Sequence, residues 1–155
     1  MAGMTDHRKE VRLAQAALAS ALSGKREASH RYVQRISDEC GGEGLHTALI
    51  AWSDTFVDHA TDGTMARAAP KMSFIRTDTG QLDRPGSAAV PAHVQWAGRL
   101  VRARAAMDEQ EWQQLIGDLP VDGFELARYV CAVVECVALT INGLPRGYAR
   151  MGRET

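Results

Sequence analysis

Arg128 and Glu135 are the charged residues whose positions most suggest chemistry. They lie seven positions apart in the most apolar run of the chain, residues 124–141, and so on nearly the same side of a helix. A buried carboxylate needs a partner or a raised pKa, and such groups cluster at functional sites. The pair predicts a ligand-binding or enzymatic pocket beside this helix. The simpler interpretation is that this side, with Ala132 in between, is the solvent-exposed strip of the helix.

No other set of residues has the spacing of a catalytic, cofactor-binding or metal site. Asp54 and Asp58 share a helix face, but His59 lies about 100° round the helix from Asp58. The His-Glu-x-x-His and Glu-x-x-His spacings of helical metal sites, the Gly-x-Ser-x-Gly of hydrolases and the glycine patterns of phosphate loops are absent from the sequence. We therefore expect no catalytic residue, no cofactor and no metal, and we favour a non-enzymatic protein.

The three cysteines, Cys40, Cys131 and Cys136, form no Cys-x-x-Cys motif, and their odd number does not suit a disulfide framework. Reduced thiols buried as small hydrophobic groups suit a cytoplasmic protein, and the N-terminal residues carry no export signal.

The apolar run 124–141 is long enough to raise the question of a membrane span. It contains three charged residues, and a charge near the centre of a span costs about 2.5–3.5 kcal/mol. The run is therefore predicted to be a core helix, and no membrane association is expected.

Basic side chains support a nucleic-acid hypothesis. Arg99, Arg102 and Arg104 recur along one predicted helix, and together with other basic residues they could form a phosphate-binding surface. These others lie in the predicted loop and tail: Arg67, Lys71, Arg76, Arg84, Arg146, Arg150 and Arg153. The alternative function is thus a small DNA-associated transcriptional regulator. An overall isoelectric point near 6.5 weakens it.

Residues 99–134 also resemble ribbon-helix-helix DNA-binding proteins. In those, a short basic strand precedes Asp/Ser-x-x-Glu-Trp-x-x-Leu and a second helix carrying Leu-x-x-Tyr-Val. The resemblance implies that Arg102 and Arg104 are strand residues and that Trp112, Leu115, Leu126, Tyr129 and Val130 are core residues. The chain departs from the pattern at Gly117 and Pro120, which shorten the first helix, and in an Ala-rich strand region that keeps a helical period.

Charge is strongly segregated along the chain despite a net charge of −1. Residues 1–35 carry seven basic and three acidic side chains, whereas residues 36–66 carry six acidic and no Lys or Arg. Residues 67–104 are again basic and residues 105–127 acidic. Either oppositely charged helices lie side by side, which we favour, or a bipolar surface steers a partner or pairs two copies.

Trp96 and Trp112 are candidate interface aromatics, with core burial as the alternative for both. Together with the wide apolar helix faces and the segregated charge, they favour a protein–protein interaction module that binds itself or another protein. A homodimer is one form of this hypothesis.

Hydrophobic periodicity and capping signals predict six helices, near residues 6–23, 26–40, 45–60, 91–107, 108–117 and 122–141. Gly24 ends the first helix, and Gly41 with Gly42 ends the second. The third and the last are apolar round most of their circumference and should form the central pair. The expected fold is an all-α, single-domain bundle of five to six helices over residues 1–143, with a long irregular loop at about 62–90. Residues 144–155 are predicted to be a flexible basic tail.

Overall fold

A computed structural model describes the backbone of residues 2–61, 74–75, 82–83 and 90–143, and the side chains of residues 8–60 and 90–143. The fold is all-α, as predicted. Within these ranges the helices are α1 (Ala2–Leu22), α2 (Arg26–Thr61), α3 (Ala92–Ala105), α4 (Glu109–Gly117) and α5 (Gly123–Gly143).

The predicted loop, residues 62–90, lies mostly outside the described residues. Its described backbone includes strands β1 (Phe74–Ile75) and β2 (Leu82–Asp83). They pair antiparallel, with Phe74 opposite Asp83 and Ile75 opposite Leu82. The predicted tail, residues 144–155, lies outside the described residues.

Helix α2 contains both the second and the third predicted helices, which meet at a break at Gly41. Gly41 has φ 69° and ψ −162°, a region of backbone space that is essentially restricted to glycine. The first of the two predicted helices therefore ends at Gly41, as predicted. Helical geometry resumes at Gly42, so the second helix begins directly after the break and not near residue 45, because one glycine accommodates the whole change of direction.

The two halves of α2 come close together beside Gly44. A β-carbon at this position would overlap the Cβ of Cys40 and press on Glu10 of α1 and Ile36 of α2. Glycine is therefore required here by space, whereas at Gly41 it is required by backbone conformation.

The core is built around α2 and α5. Helix α2 packs against α1, α3 and α5, and α5 packs against α1, α2 and α3. Leu45, Leu49, Trp52 and Phe56 on α2 are buried, and the Trp52 indole donates a hydrogen bond to the Ala14 carbonyl of α1 at 2.9 Å. All five helices contribute to one hydrophobic cluster, within which the two helices predicted to be central, α2 and α5, pack directly against each other.

Turns at the ends of α1 and α3 share one geometry. After α1, Gly24 has φ 76°, and the Lys25 N–H bonds the Ser20 carbonyl at 2.8 Å. After α3, Met107 has φ 56°, and the Asp108 N–H bonds the Ala103 carbonyl at 2.9 Å. Both are Schellman turns, with methionine in α3 at the position where glycine is usual. Asp108 then caps α4 by accepting the Glu111 N–H at 3.1 Å, as the capping-box spacing predicts.

Across the described ranges, every helix is either too short or too polar to cross a membrane.

Candidate functional site

One side of α5 reaches solvent toward both ends of the helix, while its middle, at Cys131 and Ala132, is buried. Phe124, Arg128, Glu135 and Leu139 occur at i, i+4, i+11 and i+15, which places them within about 60° of one another around the helix axis. The two end residues are large and apolar, yet Phe124 is 74% exposed and Leu139 is 52% exposed. Most of the remaining circumference of α5 is buried in the core. We call these four residues the α5 strip.

Glu135 is anchored by the first turns of α2. Its Oε1 atom accepts hydrogen bonds from Arg26 Nε and His30 Nε2, both at 2.7 Å. The side chain of Glu135 is 30% exposed. Its other oxygen, Oε2, has no partner within the described part of the chain. Glu135 is therefore a partly exposed carboxylate with two cationic or polar partners, and not an isolated buried acid.

Arg128 has a partner of its own on the same helix. Its Nη1 atom donates to Glu125 Oε1 at 3.1 Å, with an i, i+3 spacing. Arg128 and Glu135 thus share one helix side, on which Arg128 is exposed, Glu135 is partly exposed and Ala132 between them is buried. A shallow depression of about 260 Å³ lies elsewhere, on α2, and is lined by Ala28, Arg31, Tyr32 and Arg35.

His93 of α3 lies beside the strip and packs on Tyr129, with ring centroids 6.3 Å apart. Burial lowers the pKa of His93, and the positive charge of Arg128 lowers it further, while Glu135 and Glu125 act in the opposite direction. Within the described ranges no three His, Cys, Asp or Glu side chains are grouped so as to hold a metal ion.

The two candidate interface tryptophans lie in the core. Trp96 is 6% exposed, donates to the Leu115 carbonyl at 2.8 Å and meets Tyr129 edge-on. Trp112 is 2% exposed and donates to His46 Nε2 at 3.2 Å. A partner would therefore contact little of either indole in this conformation.

The candidate nucleic-acid arginines differ in their surroundings. Arg99 pairs with Glu111 at 2.7 Å, and Arg104 bonds Asp54 at 2.6 Å. Arg102 is exposed and makes no ion pair with a described residue. Two of the three are thus neutralised by α2 and α4, and the basic loop and tail residues lie outside the described ranges.

Arg102 and Arg104 belong to α3, so the strand implied by the ribbon-helix-helix resemblance is wrong. The Ala-rich segment keeps its helical period because Leu100, Val101, Ala103 and Ala105 are buried on one side of α3.

Two of the three thiols are held in their unreactive, protonated form. None of Cys40, Cys131 and Cys136 is in a disulfide. Burial raises the pKa of Cys131 and that of Cys136 to about 12, so both remain protonated at neutral pH and are poor nucleophiles.

Four residues of this region were not singled out by sequence reasoning. Phe124 and Leu139 carried a readable signal, because they fall on the helical strip that Arg128 and Glu135 define. Arg26 and His30 carried none, since they contact Glu135 across sequence separations of 109 and 105 residues.

Comparison with known proteins adds no relative: no protein-family model, curated protein or solved structure matches the chain.

Proposed function

We propose that the protein is a non-enzymatic protein–protein interaction module and that the α5 strip is its contact surface. The observation that carries this proposal is the exposure of Phe124 and Leu139 on a helix whose other sides are packed into the core. Fully burying a large apolar side chain is worth about 1.5–3 kcal/mol. Two such side chains on one strip therefore offer a partner a substantial gain, with Arg128 and Glu135 between them to set its position.

The state of the polar groups around the strip supports a binding role over catalysis. Glu135 is held by Arg26 and His30, and Arg128 by Glu125. The Cys131 thiol, one turn before Glu135, is protonated at neutral pH. These groups fix the shape and charge of the surface. Reduced, buried thiols also suit the cytoplasm, where we propose that the protein acts.

Site-specific photo-crosslinking in the cells that make the protein tests this proposal. A photoreactive benzoylphenylalanine replaces Phe124, Leu139 or, as a control, Gln113, which is exposed on α4. We expect protein adducts from positions 124 and 139, identified by mass spectrometry, and none from position 113. Equal adducts from all three positions, or none from the strip, would overturn the proposal.

A further inference from the structure

We infer that the outer face of the α1–α2 hairpin binds a single strand of nucleic acid, with arginines on its phosphates and a tyrosine against one of its bases. We call Arg8, Arg12, Arg31, Tyr32 and Arg35 the hairpin face. It contains no residue of the α5 strip, so this inference is independent of the proposed function.

The hairpin face carries most of the unpaired arginines in the described part of the chain. Among residues 8–60 and 90–143, five of nine arginines form an ion pair with a carboxylate, namely Arg26, Arg35, Arg99, Arg104 and Arg128. The other four pair with no described carboxylate: Arg8, Arg12, Arg31 and Arg102. The exposed acids Glu27 and Asp38 of α2 pair with none of them. Three of the four unpaired guanidinium groups therefore belong to one face.

The packing of α1 against α2 brings the cations of the two helices together. Glu39 of α2 pairs with Lys9 of α1 at 2.6 Å and with Arg35 of α2 at 2.8 Å. The two helices run antiparallel, so Arg12, three residues after Lys9, lies level with Arg35, four residues before Glu39. One carboxylate thus lies among three neighbouring cations, and a surplus of positive charge remains.

The spacing of the arginines is unfavourable for the protein alone. Arg8 and Arg12 are spaced i, i+4 along α1, and Arg31 and Arg35 are spaced i, i+4 along α2. Like charges at this spacing destabilise a helix, whereas an anion placed between them is attracted by both. Each spacing is about 6 Å along the helix axis. Cations repeated at such short intervals suit a chain of phosphates better than a single anion.

Tyr32 supplies an aromatic surface between these charges. The shallow depression of about 260 Å³ on α2 is lined by Ala28, Arg31, Tyr32 and Arg35. Tyr32 packs against the hydrophobic core, which holds its ring in place, and its partly exposed remainder borders the depression. An aromatic ring beside cations is the arrangement on which bases of single strands stack. The small side chain of Ala28 leaves room for a base beside the ring.

The shape and composition of the face favour a strand over other anionic ligands. A small-molecule site encloses most of its ligand, whereas this depression is shallow. A base can stack on Tyr32 only when it is unpaired, so a single strand is favoured over a duplex. A membrane surface would require large exposed apolar side chains, and those of the described residues lie elsewhere, at Met107, Val121, Phe124 and Leu139.

Fluorescence anisotropy of a labelled thymidine oligonucleotide with the purified full chain tests the arginines. We expect binding that weakens as salt rises, and we expect Arg12→Gln or Arg31→Gln to raise the dissociation constant about tenfold, because each removes a charge-assisted contact to phosphate. Arg102→Gln is the matched control, since Arg102 is also exposed and unpaired among the described residues but lies on α3. Equal losses in all three variants, or no binding by the wild type at low salt, would overturn the inference.

Tyr32 variants distinguish a nucleic-acid strand from other polyanions. Tyr32→Leu keeps an apolar contact with the core and removes the ring, and Tyr32→Phe keeps the ring. We expect Tyr32→Leu to raise the dissociation constant for the oligonucleotide about fivefold or more, with Tyr32→Phe close to the wild type. Calorimetry with inorganic polyphosphate should show equal affinity for all three proteins. Tighter binding of polyglutamate than of the oligonucleotide would indicate an acidic protein partner and overturn the proposal, as would equal loss of both ligands in Tyr32→Leu.

Discussion

Arg104 on α3 donates two hydrogen bonds to Asp54 on α2, from Nε to Oδ1 at 2.6 Å and from Nη2 to Oδ2 at 3.2 Å. The guanidinium carbon also lies 5.6 Å from the centre of the Trp112 ring, and Trp112 bonds His46. One arginine therefore ties α2, α3 and α4 together. The hydrogen bond to Asp54 raises the pKa of Arg104 above its usual value.

Replacing this arginine by lysine should weaken the fold although charge is kept. Arg104→Lys loses the two-pronged geometry and the stacking on Trp112, and we expect the free energy of unfolding to fall by about 1 kcal/mol, since the pair is partly exposed. Urea denaturation measures this. Arg99→Lys is the control, because Arg99 makes a single contact to Glu111 on the exposed surface. Equal losses in both variants would contradict the role given to the Asp54 pair.

The glycines after the break in α2 should respond in opposite directions to the same substitution. Gly42→Ala places a methyl group in open space within a helix, and we expect stabilisation of about 0.5–1 kcal/mol. Gly44→Ala forces the new methyl group against the Cβ of Cys40, and we expect destabilisation of about 1–3 kcal/mol. Thermal and urea denaturation of both variants measure the difference. A stabilising Gly44→Ala would show that the two halves of α2 are not packed this closely.

Two buried serines provide a second matched pair. Ser53 Oγ has no hydrogen-bond partner among the described groups, whereas Ser29 Oγ donates to the Ala17 carbonyl at 2.8 Å. We expect Ser53→Ala to raise the free energy of unfolding by about 1 kcal/mol, because it removes an unsatisfied hydroxyl. Ser29→Ala should lower it by a similar amount, since it removes a buried hydrogen bond. The measurement is again urea denaturation, and a loss of stability in Ser53→Ala would indicate an unseen partner.

His93 should make the fold sensitive to mild acid. Its folded-state pKa is below the ordinary value of 6.5, chiefly through burial and then through Arg128, with Arg26 acting in the same sense and Glu125 and Glu135 opposing. As the pH falls through 6.5, the unfolded chain therefore gains a proton that the folded chain resists, and stability decreases. We expect His93→Gln to flatten the stability profile between pH 7 and pH 5.

The loss of stability caused by His93 occurs at a higher pH than the loss caused by protonation of Glu39. Hydrogen bonds from Arg35 and Lys9 lower the pKa of Glu39 from 4.5 to about 2. Its stabilising contribution is present above pH 4.5 and is lost only as the pH falls toward 2, so it does not enter the His93 window. Parallel profiles of wild type and His93→Gln between pH 7 and pH 5 would exclude His93 as the source.

Sequence periodicity was sufficient for most of the fold. Leu45, Leu49, Trp52 and Phe56 predicted the buried side of α2, and Asp108 predicted the start of α4. The break at Gly41 was predicted correctly, whereas the immediate restart of the helix at Gly42 was not. Glycine marks a change of backbone direction, and only the packing beyond it decides whether a helix resumes.

The candidate surface was only half visible in the sequence. Arg128 and Glu135 defined a helix side, and whether that side met solvent or core depended on neighbours from α2 and α3. Trp96 and Trp112 illustrate the same limit in reverse, because an indole suits an interface and a core equally well. Contacts such as His30 to Glu135 join residues more than a hundred positions apart, where local pattern carries no information.

Each of the three tryptophan N–H groups donates a hydrogen bond to a different neighbouring helix: Trp52 from α2 to α1, Trp96 from α3 to α4, and Trp112 from α4 to α2. In a variant that keeps one tryptophan and has phenylalanine at the other two positions, the tryptophan fluorescence therefore reports on one helix–helix contact at a time. The order in which the three signals shift to longer wavelength during denaturation would show whether the helices separate together or whether α4 detaches first. The chain thus carries its own set of optical probes for the cooperativity of its unfolding.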